Sequence, residues 1–138
     1  MRIMAIDYGD AHSGIAISDP TGFLAGFTTT IDAYRPDAVA ERVAQLAREH
    51  GVEELVLGHP INMDGTRGPR SEKAQAMAAL LRETTSLPVI LWDERRTTID
   101  AHQILMSGGK NAKKRKKVVD AVAASLILEG YLTFKKNH

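Results

Sequence analysis

An apolar run of strand length, Ile3-Met4-Ala5-Ile6, ends in a carboxylate at Asp7, and Gly9 follows two residues later. A short apolar run bounded by turn signals reads as a buried strand. Gly9, lacking a side chain, is expected to let the backbone turn sharply and approach a ligand closely. In open α/β sheets, ligands bind in the crevice at the carboxyl ends of the strands, which is where Asp7 stands. Asp7 therefore has the first claim on chemistry. The competing reading is an acid that caps a turn or pairs with a lysine.

The chain beyond supplies the rest of such a sheet. A second strand begins at Ser13 and is ended by Asp19-Pro20, and Thr21-Gly22 turns into a third, Phe23 to Ile31. Short turns between strands imply an antiparallel meander. From Pro36 the period becomes helical, with Ala38, Val39, Val43, Leu46 and Ala47 on one face and Gly51 closing the helix. Val52 to Gly58 is a fourth strand. The intervening helix makes a crossover, so this strand should run parallel to the first. His59 to Arg70 is a polar loop leading into a helix near Pro69 that buries Ala74, Met77, Ala78 and Leu81. A fifth strand, Pro88 to Trp92, precedes a short helix reaching about Ser107, and a last helix begins at Val118. The order is β-β-β-α-β-α-β-α-α in one domain, residues 1–138.

With no cysteine in the chain, disulfides, thiolate zinc sites and cysteine nucleophiles are excluded, so any metal must bind through oxygen or imidazole. His12, His59 and His102 show no ligand spacing and read as loop or surface residues. No apolar stretch has membrane-spanning length and the start lacks a secretory pattern, so a cytoplasmic protein with no membrane partner is expected. The net charge is only +1, but cations cluster: Lys113, Lys114, Arg115, Lys116 and Lys117 are consecutive. Such a run is expected to be mobile without a polyanion, and it makes a local patch of the kind that tracks a phosphate backbone. Arg67 and Arg70 flank the start of a helix, another phosphate-attracting position.

Two further acidic positions accompany Asp7. Asp93-Glu94 ends the fifth strand, and because adjacent strand residues point to opposite faces, at most one of the two enters a given site. Asp120 lies in the expected first turn of the last helix, followed on its face by Ala123, Ala124 and Ile127. Converging carboxylates without thiols suit Mg²⁺ or Mn²⁺. Beside cationic segments they suit phosphodiester hydrolysis in nucleic acid.

Asp7-Tyr8-Gly9 with Gly14-Ile15-Ala16, Gly58-His59-Pro60, Asn62-Met63-Asp64-Gly65, Asp93-Glu94-Arg95-Arg96-Thr97-Thr98 and Lys116-Lys117-Val118-Val119-Asp120-Ala121-Val122-Ala123-Ala124 together resemble the YqgF family. Its bacterial members are described as Holliday-junction-resolvase-like proteins and as nucleases assigned to 5′-end processing of pre-16S ribosomal RNA. The resemblance implies a ribonuclease H-like α/β fold whose mixed five-stranded sheet has the order 3-2-1-4-5, with strand 2 antiparallel. It also implies that Asp7, Glu94 and Asp120 are catalytic and metal-binding, with Glu94 preferred to Asp93. Gly58 would leave space between the acids. Where many relatives carry a basic residue after the first acid, this chain has His12, which is charged only at lower pH.

The expected activity is that of a metal-dependent endonuclease on structured nucleic acid, most of all pre-rRNA. Arg67, Arg70, Arg95 and residues 113–117 would grip phosphates, and the protein would be a monomer or homodimer. A resolvase acting on branched DNA is the neighbouring alternative. An ATPase of the actin and sugar-kinase type and a non-catalytic nucleic-acid-binding factor are the competing classes.

Overall fold

The structure, a computed structural model, describes residues 1–22, 25–60, 68–93 and 112–137, the side chains of 112–120 and 137 excepted. Its elements are β1 (Arg2–Asp7), β2 (His12–Ser18), β3 (Ala25–Asp32), α1 (Pro36–His50), β4 (Val52–His59), α2 (Pro69–Thr85), β5 (Val89–Asp93) and α3 (Ala112–Asn137). The expected short helix before residue 107 lies outside the described residues.

The five strands form one sheet in the order β3-β2-β1-β4-β5. β2 runs antiparallel to both β1 and β3, and β4 runs parallel to β1 and β5. This is the order and direction implied by the family resemblance. The β2–β3 turn closes with the Gly22 N–H donating to the Asp19 carbonyl at 3.0 Å, and Gly22 takes the left-handed conformation, φ 77°, that favours glycine. Helix α1 has Pro36 in its first turn and ends at Gly51, φ 66°. It buries Val39, Ala40, Val43, Ala44, Leu46 and Ala47, while Ala38, expected inward, is exposed.

Period-two alternation divides the strands between two cores. Met4, Ile6, Ile15, Ile17, Leu55 and Leu57 pack against α1 and α2, and Ile3, Ala5, Ala16, Val56 and Trp92 pack against α3. Helix α3 is held there by Ala124, Ile127, Leu128, Tyr131 and Leu132. Near its far end the Tyr131 hydroxyl donates to Glu54 Oε1 at 2.6 Å, and Lys135 Nζ lies 3.6 Å from the same oxygen. Burial, then the hydrogen bond to Glu54 and its charge, raise the pKa of this phenol well above its ordinary 10.0.

Candidate active site at the carboxyl ends of the strands

The alternation that sends Ile3 and Ala5 toward α3 sends Asp7, the last residue of β1, the same way. Its neighbours on that face are small. Asp7 pairs with Gly14 of β2, and the Ile6–Leu57 pairing makes Gly58 the next residue of β4 alongside it. The half-buried carboxylate thus stands between two strand positions that carry no side chain. Beyond Gly58, paired with it, is Trp92 of β5, whose ring meets Tyr131 and Phe134 of α3 edge-on at centroid distances of 5.8 and 5.7 Å.

The phase of β5 separates the two adjacent acids. Val89 and Leu91 belong with the α1/α2 core and Ile90 and Trp92 with the α3 core, so Asp93 takes the α1/α2 side, opposite to Asp7. Asp93 pairs in register with His59, and His59 is indeed on that side. Sequence reasoning treated His59 as a loop or surface residue. In the structure it is the last residue of β4, only 7% exposed, with its Nε2 2.6 Å from the buried Ser71 hydroxyl and 3.4 Å from the Gln75 side-chain amide. Two donors converging on Nε2 fit the tautomer with its proton on Nδ1. The signal available in the sequence was the continued alternation Leu55, Leu57, His59, together with Ser71 and Gln75 one turn apart on a helix.

Gly9 and His12 also have partners within the chain. Gly9 is needed for a close approach, but to the chain itself: a Cβ there would collide with the His12 carbonyl, and the Gly9 N–H donates to Ser13 Oγ at 3.3 Å. His12 pairs across the strands, its Nδ1 2.7 Å from Asp32 Oδ1.

The α1/α2 side also carries an open groove of about 330 Å³ lined by Tyr8, Asp10, Tyr34, Pro36, Lys73, Ala76, Met77 and Leu80. No part of it was anticipated from sequence, because its walls come from three separated segments.

Helix α3 changes the reading of the last acid and of the basic run. It starts at Ala112 rather than Val118, so Lys113, Lys114, Arg115, Lys116 and Lys117 occupy its opening turns instead of a mobile segment. Asp120 then falls in the third turn, and no acid lies in the first. The helix-start explanation of Asp120 no longer applies, since dipole stabilisation fades within the first turn.

Of the predicted site residues, Asp7 is placed by its side chain, and Arg70 is exposed in the first turn of α2. Asp120 and residues 113–117 are placed by backbone alone, and Arg67, Glu94 and Arg95 lie outside the described residues. Among the described residues no three His, Asp or Glu side chains are grouped to hold a metal ion, and no helix is long and apolar enough to cross a membrane.

The family model described as "RuvX: Holliday junction resolvase" matches residues 1–134. The chain belongs to this family. Among RuvX relatives, the Halothermothrix orenii protein named "Putative pre-16S rRNA nuclease" is 43% identical over 135 residues, covering 98% of this chain and 96% of its own. Among solved structures, Thermus thermophilus RuvC in complex with a Holliday junction substrate superposes with a TM-score of 0.63 at 14% identity, covering 99% of this chain and 96% of that one. Fowlpox virus resolvase with Holliday junction DNA gives a TM-score of 0.61 at 14% identity over 98% and 99% of the two chains. At those identities the likeness is one of fold, and the RuvX chain has the resolvase-type, ribonuclease H-like architecture implied by its motifs.

Proposed function

We propose that this chain is a divalent-metal-dependent endonuclease that processes the 5′ end of pre-16S rRNA, with Asp7, Glu94 and Asp120 as its catalytic acids. Membership of the RuvX family makes it a nuclease, a hydrolase of phosphodiester bonds. The observation that carries the site assignment is Asp7 between Gly14 and Gly58 on the α3 face.

Two arguments extend the site to the other acids. Strand phase commits Asp93 to the opposite face, which agrees with the resemblance's preference for Glu94 over Asp93 as the site acid. Asp120 precedes the buried Ala124 by one helical turn, so the stripe of α3 that meets the sheet continues to it.

The donor set is oxygen alone, which fits Mg²⁺ or Mn²⁺. When bound there, such an ion would supply charge to offset the phosphate and to ease ionisation of the attacking water. Arg67, Arg70, Arg95 and Lys113, Lys114, Arg115, Lys116 and Lys117 would hold flanking phosphates. The chain would act in the cytoplasm, as a monomer or homodimer.

The test is cleavage of precursor 16S rRNA by wild type and by Asp7→Asn in Mn²⁺. Cleavage is expected from wild type and a loss of about 100-fold or more from the variant, at unchanged melting temperature. Equal cutting by the two proteins refutes the assignment of Asp7. A four-way DNA junction cut faster than the rRNA refutes the substrate.

A further inference from the structure

The groove on the α1/α2 side takes no part in the chemistry assigned to the acids. Ala76, Met77 and Leu80 give it an apolar floor, Tyr8 and Tyr34 give it aromatic walls, and Asp10 and Lys73 stand at its rim. Its volume, about 330 Å³, is at the small end of the range for ligand pockets. Tyr8 is half-buried against the core, whereas Tyr34 is 82% exposed. We propose that this groove seats one unpaired nucleotide next to the phosphate to be cleaved at the acid site, with its base against the two tyrosine rings. The proposal rests on the nuclease reading above and names the feature of the substrate that the groove selects.

Continuity with the acid site is the first argument. Asp7 and Tyr8 are consecutive, their Cα atoms about 3.8 Å apart, and their side chains leave opposite faces of the sheet. A nucleic-acid strand crossing the end of β1 with one phosphate at Asp7 meets the groove with its next nucleotide. The second argument is chemical fit. Aromatic walls over an apolar floor suit the faces of a base of any sequence. The Lys73 ammonium and Asp10 carboxylate are 3.0 Å apart with side chains 58% and 82% exposed, and such an exposed pair exchanges partners at little cost. Lys73 then meets a phosphate, and Asp10 accepts from an exocyclic amino group on the base edge. Arg70, exposed nearly one turn ahead of Lys73 on α2, continues the cationic rim.

The occupant is tested with two RNAs sharing one duplex, the first blunt and the second carrying an unpaired 2-aminopurine nucleotide at the duplex end. Both are titrated with the full chain in Ca²⁺. Binding is expected to quench the 2-aminopurine emission. Tyr34→Leu should weaken the flanked RNA about tenfold more than the blunt one, and Tyr34→Phe should retain the discrimination. Lys73→Gln should reduce the salt slope for the flanked RNA by about one. Circular dichroism melting confirms that each variant is folded, and Tyr34 is exposed enough that it should be. Absence of quenching, or equal losses on the two RNAs, overturns the proposal and leaves the groove to a non-nucleotide occupant such as a peptide. Cleavage of precursor rRNA in Mn²⁺ is scored separately. Cleavage without quenching removes the groove proposal alone, and quenching without cleavage removes the nuclease reading alone.

Discussion

Toward α1 and α2 the sheet presents Met4, Ile6, Ile15, Ile17, Leu55 and Leu57, each at most 1% exposed, whereas toward α3 it presents Ile3, Ala5, Ala16 and Val56 and, at the carboxyl end, the positions of Gly14 and Gly58. Large branched side chains on the first face fill the space under two helices. On the second face small residues let a single helix approach closely, and at the strand ends they leave room for carboxylates. Both patterns come from the same strands, one residue out of phase. With the site proposed at Asp7, stability and chemistry fall to alternate positions of one sequence, and substitutions at neighbouring residues should fail in different ways.

The sharpest contrast is between Leu57 and Gly58. Gly58→Val adds a branched side chain beside Asp7 and should cost about 100-fold in cleavage of precursor 16S rRNA. Leu57→Ala empties a fully buried position on the other face and should lower stability by about 2–5 kcal/mol in urea unfolding. If Leu57→Ala harmed cleavage at temperatures where it stays folded, the division between the faces would not hold. A smaller effect is expected at Ser71. Ser71→Ala removes the partner of the buried His59 and should cost about 1–3 kcal/mol of stability, measured by the same unfolding.

The smallest effect sharpens the comparison at the far end of α3. Tyr131→Phe loses the hydrogen bond to Glu54 and should cost about 1 kcal/mol near neutral pH. Because the folded chain raises the pKa of this phenol, the stabilisation is complete below the ordinary value of 10.0 and is lost as pH rises above it, where only the unfolded chain releases the proton. Wild-type stability should therefore fall more steeply than that of Tyr131→Phe above pH 10. Parallel curves would show that the phenol does not titrate differently in the two states.

Local pattern carried most of the architecture. The apolar run into Asp7, the Pro36 and Gly51 boundaries of α1 and the inward set Ala74, Met77, Ala78 and Leu81 of α2 are short-range signals, and the structure has each of them. The start of α3 was misjudged because adjacent cations repel. Lys and Arg are nevertheless good helix formers, and a helix already nucleated by its packed later turns extends backward at little cost per residue. His59 was misread because Gly58-His59-Pro60 looks like a turn, and its partner Ser71 is remote until α2 folds back on the sheet. Of the proposed site, Asp7 was legible from the apolar run that it ends, and Gly58 beside it from the strand order that the resemblance implies, whereas Gly14 on its other side came only with the β1–β2 register. The Tyr8–Tyr34 groove was not legible, since tyrosines 26 positions apart share no local period.

Helix α3, with 26 residues, is about 39 Å long, and β3 and β4, at eight residues, extend only about 27 Å. Its described buried anchors, Ala124 to Leu132, occupy only about 12 Å of that rod. The backbone runs unbroken from them back to Ala112, so the cations Lys113 to Lys117 are strung along the same stiff axis as the anchors, at a pitch fixed by the helix rather than by a loose tether.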